Sequence, residues 1–184
     1  MKTIYFLLIG VCFSLSNINI YGQSPIQKRY SNETYNAYKW IAFSGADTST
    51  TIVNRKNTLN MDKLKERCMC DPRTMDIGLI LSKIMKSVFP QEKRKAFATD
   101  KKRIRYILFY DAKNGQILNI EFELYGVKLS YEENSLTAVT LKEIYQLETQ
   151  LKAQHLKIDC DCTKFKYGYV IYSMPLDKMD KWSE

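Results

Sequence analysis

Apolar residues recur at helical spacing in two stretches of the chain and alternate at strand spacing in three others. Ile77, Leu81, Ile84 and Val88 fall on one helical face, with Ile80 and Met85 beside them. Asp71 suits a helix cap, Pro72 suits a first helical position and Pro90 stops the run, so the pattern predicts a helix over 73–88. In RIRYILFYDAKNGQILNIEFEL, apolar residues alternate on both sides of Asn114-Gly115, which marks a β-hairpin. A two-residue loop there would set Tyr110 against polar Asn119. A loop of Lys113, Asn114 and Gly115 instead pairs Tyr110 with Leu118, Leu108 with Ile120 and Tyr106 with Phe122, and places Arg105 against Glu123. Gly115 would then supply the left-handed residue of that loop.

Thr140 and Glu143 have capping-box spacing, and Leu141, Ile144, Leu147 and Leu151 follow on one face, so a further helix is expected to about Ala153. The last strand is marked by Phe165, Tyr167 and Tyr169 and ends at Pro175. The basic stretch between Pro90 and Ile104 reads as a connection. Near the N-terminus the chain is polar and Tyr-rich; Asn32 suits the cap of a short helix carrying Tyr35, Tyr38, Trp40 and Ile41 and ending at Ser44-Gly45. The expected fold is α+β: a three-stranded antiparallel sheet with two helices packed on one face, in the order helix-strand-strand-helix-strand, plus an N-terminal extension.

Composition and charge set the compartment. A lysine followed by an apolar run from Ile4 to Leu15, and then Gly22, reads as a secretory signal peptide over 1–22. Its apolar run is short for a membrane span, which takes about 20 residues. The domain boundaries expected are therefore 1–22 for the leader, 23–70 for the extension and 71–184 for the α+β domain. Loss of the leader removes Lys2 and no acid, so the formal net charge falls from +8 to +7. A periplasmic or secreted location follows, and export argues against nucleic acid as a partner. The basic residues Lys93, Arg94, Lys95, Lys101, Lys102 and Arg103 suit an anionic surface such as lipid headgroups. A solvated loop is the competing account of the same run.

Phe89-Pro90, the hairpin about Asn114-Gly115, the Leu141 to Leu151 helix and the closing run VIYSMPL occur in an order that resembles the C-terminal domain of TonB-type energy transducers. The resemblance spans residues about 73–176 and lacks two of that family's features. No long Pro-rich spacer precedes the domain, and IDCDC replaces the usual loop before the last strand. The chain also resembles small secreted proteins of unknown function from Gram-negative gut bacteria. The resemblance implies a binding role in which a partner's extended segment joins a sheet edge, with Phe165, Tyr167, Tyr169 and Ile171 along it. An envelope protein or peptide is the partner implied.

Candidate chemistry concentrates in two Cys-x-Cys stretches, Cys68-Met69-Cys70 and Cys160-Asp161-Cys162. If connections stay at the near ends of the elements, both pairs meet at one end of the domain. In an oxidising compartment two disulfides between the stretches are expected, in either of the two possible pairings. A tetrathiolate zinc site, a thiol-redox centre with Cys70 at a helix N-terminus and four free, inert thiols are the alternatives. Other catalytic machinery is missing from the sequence. The lone His155 is expected to meet helix carbonyls, and Glu121, Glu123, Glu132 and Glu133 fall on expected exposed positions. No catalytic residue and no cofactor besides zinc is expected, and the protein reads as a non-enzyme.

Overall fold

In the computed structural model, the described residues are 38–43, 49–59, 64, 66, 68–71, 76–98, 102–130, 132, 134–157, 160–162 and 164–178. The predicted leader and the N-terminal residues through Ala37 lie outside them. The elements in chain order are β1 (Tyr38–Phe43), β2 (Ser49–Asn54), β3 (Cys68–Met69), α1 (Ile77–Val88) and α2 (Gln91–Phe97). They continue with β4 (Arg103–Asp111), β5 (Ile117–Tyr125), β6 (Lys128–Ser130), β7 (Ala138–Thr140), α3 (Leu141–Lys152) and β8 (Tyr167–Pro175), and a 3-10 turn spans Leu176–Lys178.

The main sheet has six strands in the order β1-β2-β5-β4-β8-β3, where three were expected. Its neighbours pair antiparallel, apart from the short β3, which runs parallel to β8. β6 and β7 form a separate parallel pair. All three added strands, β1, β2 and β3, come from the segment expected to be an extension. Residues 38–43 form a strand and not the predicted helix, because β2 offers a complete ladder from Tyr38 opposite Asn54 to Phe43 opposite Ser49. Sheet pairing overrides a weak local helix signal there.

The hairpin register holds over most of its length: Ile104 faces Leu124, Tyr106 faces Phe122 and Leu108 faces Ile120. Next to the turn it differs from expectation. A β-bulge leaves Tyr110 opposite Ile117, so Ile117 enters the core and Leu118 is the extra residue. The turn is held by the Asp111 carboxylate, which accepts from the Lys113 backbone N–H at 2.8 Å. Gly115 has φ of 75°, as the loop required, and its missing Cβ leaves room for the Leu156 carbonyl. The Leu156 N–H donates to the Gly115 carbonyl at 2.8 Å, which docks the segment after α3 onto the hairpin tip.

α3 carries the predicted capping box in full, with the Glu143 N–H donating to Thr140 Oγ1 and the Thr140 N–H donating to Glu143. α1 begins at Ile77, later than predicted, with Asp76 at its N-cap position; Pro72 lies outside the described residues. The apolar faces of α1 and α3, with Phe97 of α2, bury Ile104, Tyr106, Leu108 and Tyr110 of β4 and Phe122 and Leu124 of β5. Ile107, Phe109 and Tyr169 on the opposite sheet face pack with Leu64 and Leu59. β4 is thus buried on both faces, which suits its nearly continuous apolar run.

The basic stretch after Pro90 folds as α2, where a connection was expected. Arg94 bends back so that its guanidinium donates to the Phe89 and Lys86 carbonyls at 2.8 and 3.2 Å, satisfying the exposed end of α1. Among the described residues no helix is long and apolar enough to cross a membrane.

Candidate functional site

The four cysteines converge as the topology required. Strand β3 runs beside the start of β8, with Cys68 opposite Gly168 and Met69 opposite Tyr169. Cys68 and Cys70, two residues apart on extended backbone, project to the same side. Cys160 and Cys162 arrive on the segment leaving Leu156. Of the two inter-stretch pairings the nested one is formed, Cys68 with Cys162 and Cys70 with Cys160. Their Cα atoms are 5.6 and 6.0 Å apart, within the span a disulfide bridges. All four sulfurs lie within 4.8 Å of one another, and Cys70 and Cys162 are buried while Cys68 and Cys160 are half-buried.

Tyr110 and Gly168 complete this end of the sheet, and both were missed as site residues. The Tyr110 hydroxyl lies 2.7 Å from Cys70 Sγ and 3.9 Å from Cys162 Sγ. Its ring occupies the space above Gly168, where any Cβ would collide with it. Burial pushes the Tyr110 pKa up to about 12, so the phenol stays protonated. The signal for this contact was the isolated glycine in the aromatic run Tyr167-Gly168-Tyr169, a pattern that marks close approach of another group.

The expected edge residues separate. Phe165 precedes β8, and Tyr167 is its first residue. Tyr169 is committed to β3: its carbonyl accepts from the Cys70 N–H at 3.2 Å, and its side chain is buried in the smaller apolar cluster with Leu64. Of the four, only Ile171 lies on β8 beyond the reach of β3. Because peptide groups alternate across a strand, the outward carbonyl of Tyr169 sets Ile171 and Ser173 facing the same side. Among the described residues, no strand pairs with that side of β8 past Tyr169.

The basic residues separate as well. Lys93 is in the core, 2% exposed, and its ammonium donates to both Glu143 carboxylate oxygens at 2.7 Å. The Phe89 and Phe97 rings flank it, each with its centroid 5.8 Å from Nζ. Burial lowers the Lys93 pKa, and the bond to Glu143 opposes that shift. Lys93 is therefore a structural cation and no part of an anionic-surface patch. Arg94 serves the α1 terminus, Lys95 is exposed, and Lys101 lies outside the described residues. Lys102 lies 5.9 Å from the Phe97 centroid, and Arg103 stacks 4.7 Å over Tyr125. Arg105 meets Glu123 as expected, at 2.8 Å, in a charge contact without hydrogen-bond alignment. His155 is exposed, and its Nδ1 lies 3.2 Å from the Asn114 carbonyl in the hairpin turn, not against the helix.

No family model and no curated protein matches the sequence. The fold is similar to that of a DUF5043 family protein from Bacteroides uniformis, with a TM-score of 0.56 at 12% identity over 83% of this chain and 85% of that one. At that identity the likeness concerns the fold, which is a mixed α/β domain. It adds no activity. The disulfides add a constraint of their own, since paired cysteines persist in oxidising compartments.

Proposed function

We propose that this protein is a non-enzymatic binding domain of the periplasm or the extracellular space, and that it takes up an extended segment of an envelope partner along the outer edge of β8. The observation that carries this reading is the partial cover of that edge. β3 pairs only with Gly168 and Tyr169, whereas β8 continues to Pro175. Ile171 and Ser173 face outward beyond it, with backbone groups available for a further strand. Pro175 brings no N–H and ends the ladder. The TonB-like order of elements from α1 to β8 points to the same mode of binding, and the predicted leader supports the compartment.

Amide hydrogen exchange tests the edge directly. The Ile171 and Ser173 amides should exchange within minutes, while those of Val170 and Tyr172, which face β4, stay protected. Equal protection of both sets would mean that the edge is already covered and would sink the reading. A photo-crosslinker at Ser173, and not one at Glu92, should then capture a partner from envelope extract.

A further inference from the structure

We propose that the four sulfurs at the start of β8 form a tetrathiolate zinc site once the two bridges are reduced. This stands apart from the edge-binding reading and uses a different part of the molecule. The Cys70 and Cys162 sulfurs, which belong to different bridges, are 3.3 Å apart, and those of Cys160 and Cys162 are 3.2 Å apart. With all four within 4.8 Å of one another, the set is as compact as a metal site. A Zn–S bond of about 2.3 Å places the sulfurs of a tetrahedral site about 3.8 Å apart. Opening each bridge to that separation, with small adjustments of the other pairs, therefore meets the requirement without moving the backbone far.

The surroundings favour the same arrangement. Each Cys-x-Cys stretch contributes two sulfurs to one side, and β8 and the Leu156 segment hold the stretches face to face. The Tyr110 hydroxyl, 2.7 Å from Cys70 Sγ, is placed to donate to a thiolate there, as groups behind a metal ligand commonly do. Cys70 and Cys162 are buried, which excludes water from two of the four ligands. A dithiol is the reductant the step requires. Each bridge accepts two electrons and two protons from one dithiol, whose own sulfurs close into a disulfide, so two dithiols free the four thiols. Zinc then displaces four protons and binds as a tetrathiolate.

The test uses the full chain carrying Cys12→Ser, which leaves only the four clustered cysteines. The oxidised chain and the chain reduced with a dithiol, freed of reductant under anaerobic conditions, are titrated with cobalt(II) and then with zinc against a chromophoric chelator. The reduced chain should take one zinc, and its cobalt form should show the visible bands of a tetrahedral thiolate site. The oxidised chain should take none. Cys68→Ser with Cys162→Ser should abolish stoichiometric binding, and Tyr110→Phe should keep the stoichiometry with an affinity about 10- to 100-fold weaker. If the reduced chain unfolds, recovery of its circular dichroism on adding zinc supports the site, and failure to recover overturns it. Octahedral cobalt, less than one zinc per chain or equal uptake by the oxidised chain would also overturn it.

Discussion

The two ends of β8 share one neighbour, β4, yet they are held by different means. At Gly168 the strand is fastened by β3, two disulfides and the Tyr110 ring laid over a glycine. Toward Pro175 the outer side has no strand partner among the described residues. What secures that end lies behind the sheet: Met174, Leu176 and Phe97 in the core, and the Lys93–Glu143 pair joining α2 to α3. The Leu176 N–H adds a bond to the Lys102 carbonyl at 2.9 Å. Covalent closure at one end lets a short edge strand persist that could not be stable by itself. At the other end the strand is held by side-chain burial, with Val170 and Met174 in the main core and Ile171 against the smaller cluster.

The largest expected effect comes from reducing both bridges, which should cost about 4 to 5 kcal/mol of stability in chemical denaturation. The bridges close loops of 94 and 90 residues that nest within each other. Opening one alone should therefore cost much less than half of the total, and equal, additive losses would argue that the bridges act independently. Next comes Lys93→Ala, which leaves the Glu143 carboxylate buried without its cation and should cost about 3 to 5 kcal/mol in the same assay. Near-neutral behaviour would show that water reaches this pair and that the open end depends less on it than its burial indicates.

Tyr106 probes the middle of the same comparison. It faces Tyr172 across the sheet, and its buried hydroxyl has no hydrogen-bond partner among the described residues. Burial raises its pKa above the ordinary tyrosine value. The unfolded chain ionises near pH 10, while the native chain keeps the proton, so this stability contribution is full below about pH 10 and falls as pH rises beyond it. Tyr106→Phe should remove about 1.4 kcal/mol per pH unit of that alkaline slope and gain about 1 kcal/mol at neutral pH by deleting an unpaired group. Denaturation at several alkaline pH values measures both. The smallest effect belongs to Ser173→Pro at the exposed edge. It should change stability by no more than about 0.5 kcal/mol and abolish capture of a partner by a photo-crosslinker moved to Ile171. A large loss of stability would mean that the Ser173 N–H is already engaged within the chain.

Local patterns were legible where local physics governs. The α3 capping box, the Gly115 conformation and most of the β4–β5 register follow from short-range geometry and side-chain period, and all three occur. The bulge at Leu118 was not legible, because it depends on how the hairpin tip meets Leu156. Nor were the strand at 38–43 and the helix at 91–97. The strand is defined by its partner β2, and the helix has the composition of a solvated basic run until Lys93 finds Glu143 some fifty residues away.

The order of helix, hairpin, helix and strand, which the residues alone dictate, returns the chain to one end of the domain, so the two Cys-x-Cys stretches had to meet there. The α3 cap and the apolar faces that α1 and α3 turn to the sheet were dictated in the same way, because they depend on residues three or four positions apart. Folding in three dimensions added the rest: the nested pairing of the cysteines, the place of Lys93 as a core cation and the end of the β3 ladder at Tyr169. Each of those outcomes depends on groups far apart in the chain meeting within a few ångströms. Sequence spacing constrains such meetings, but packing selects among them.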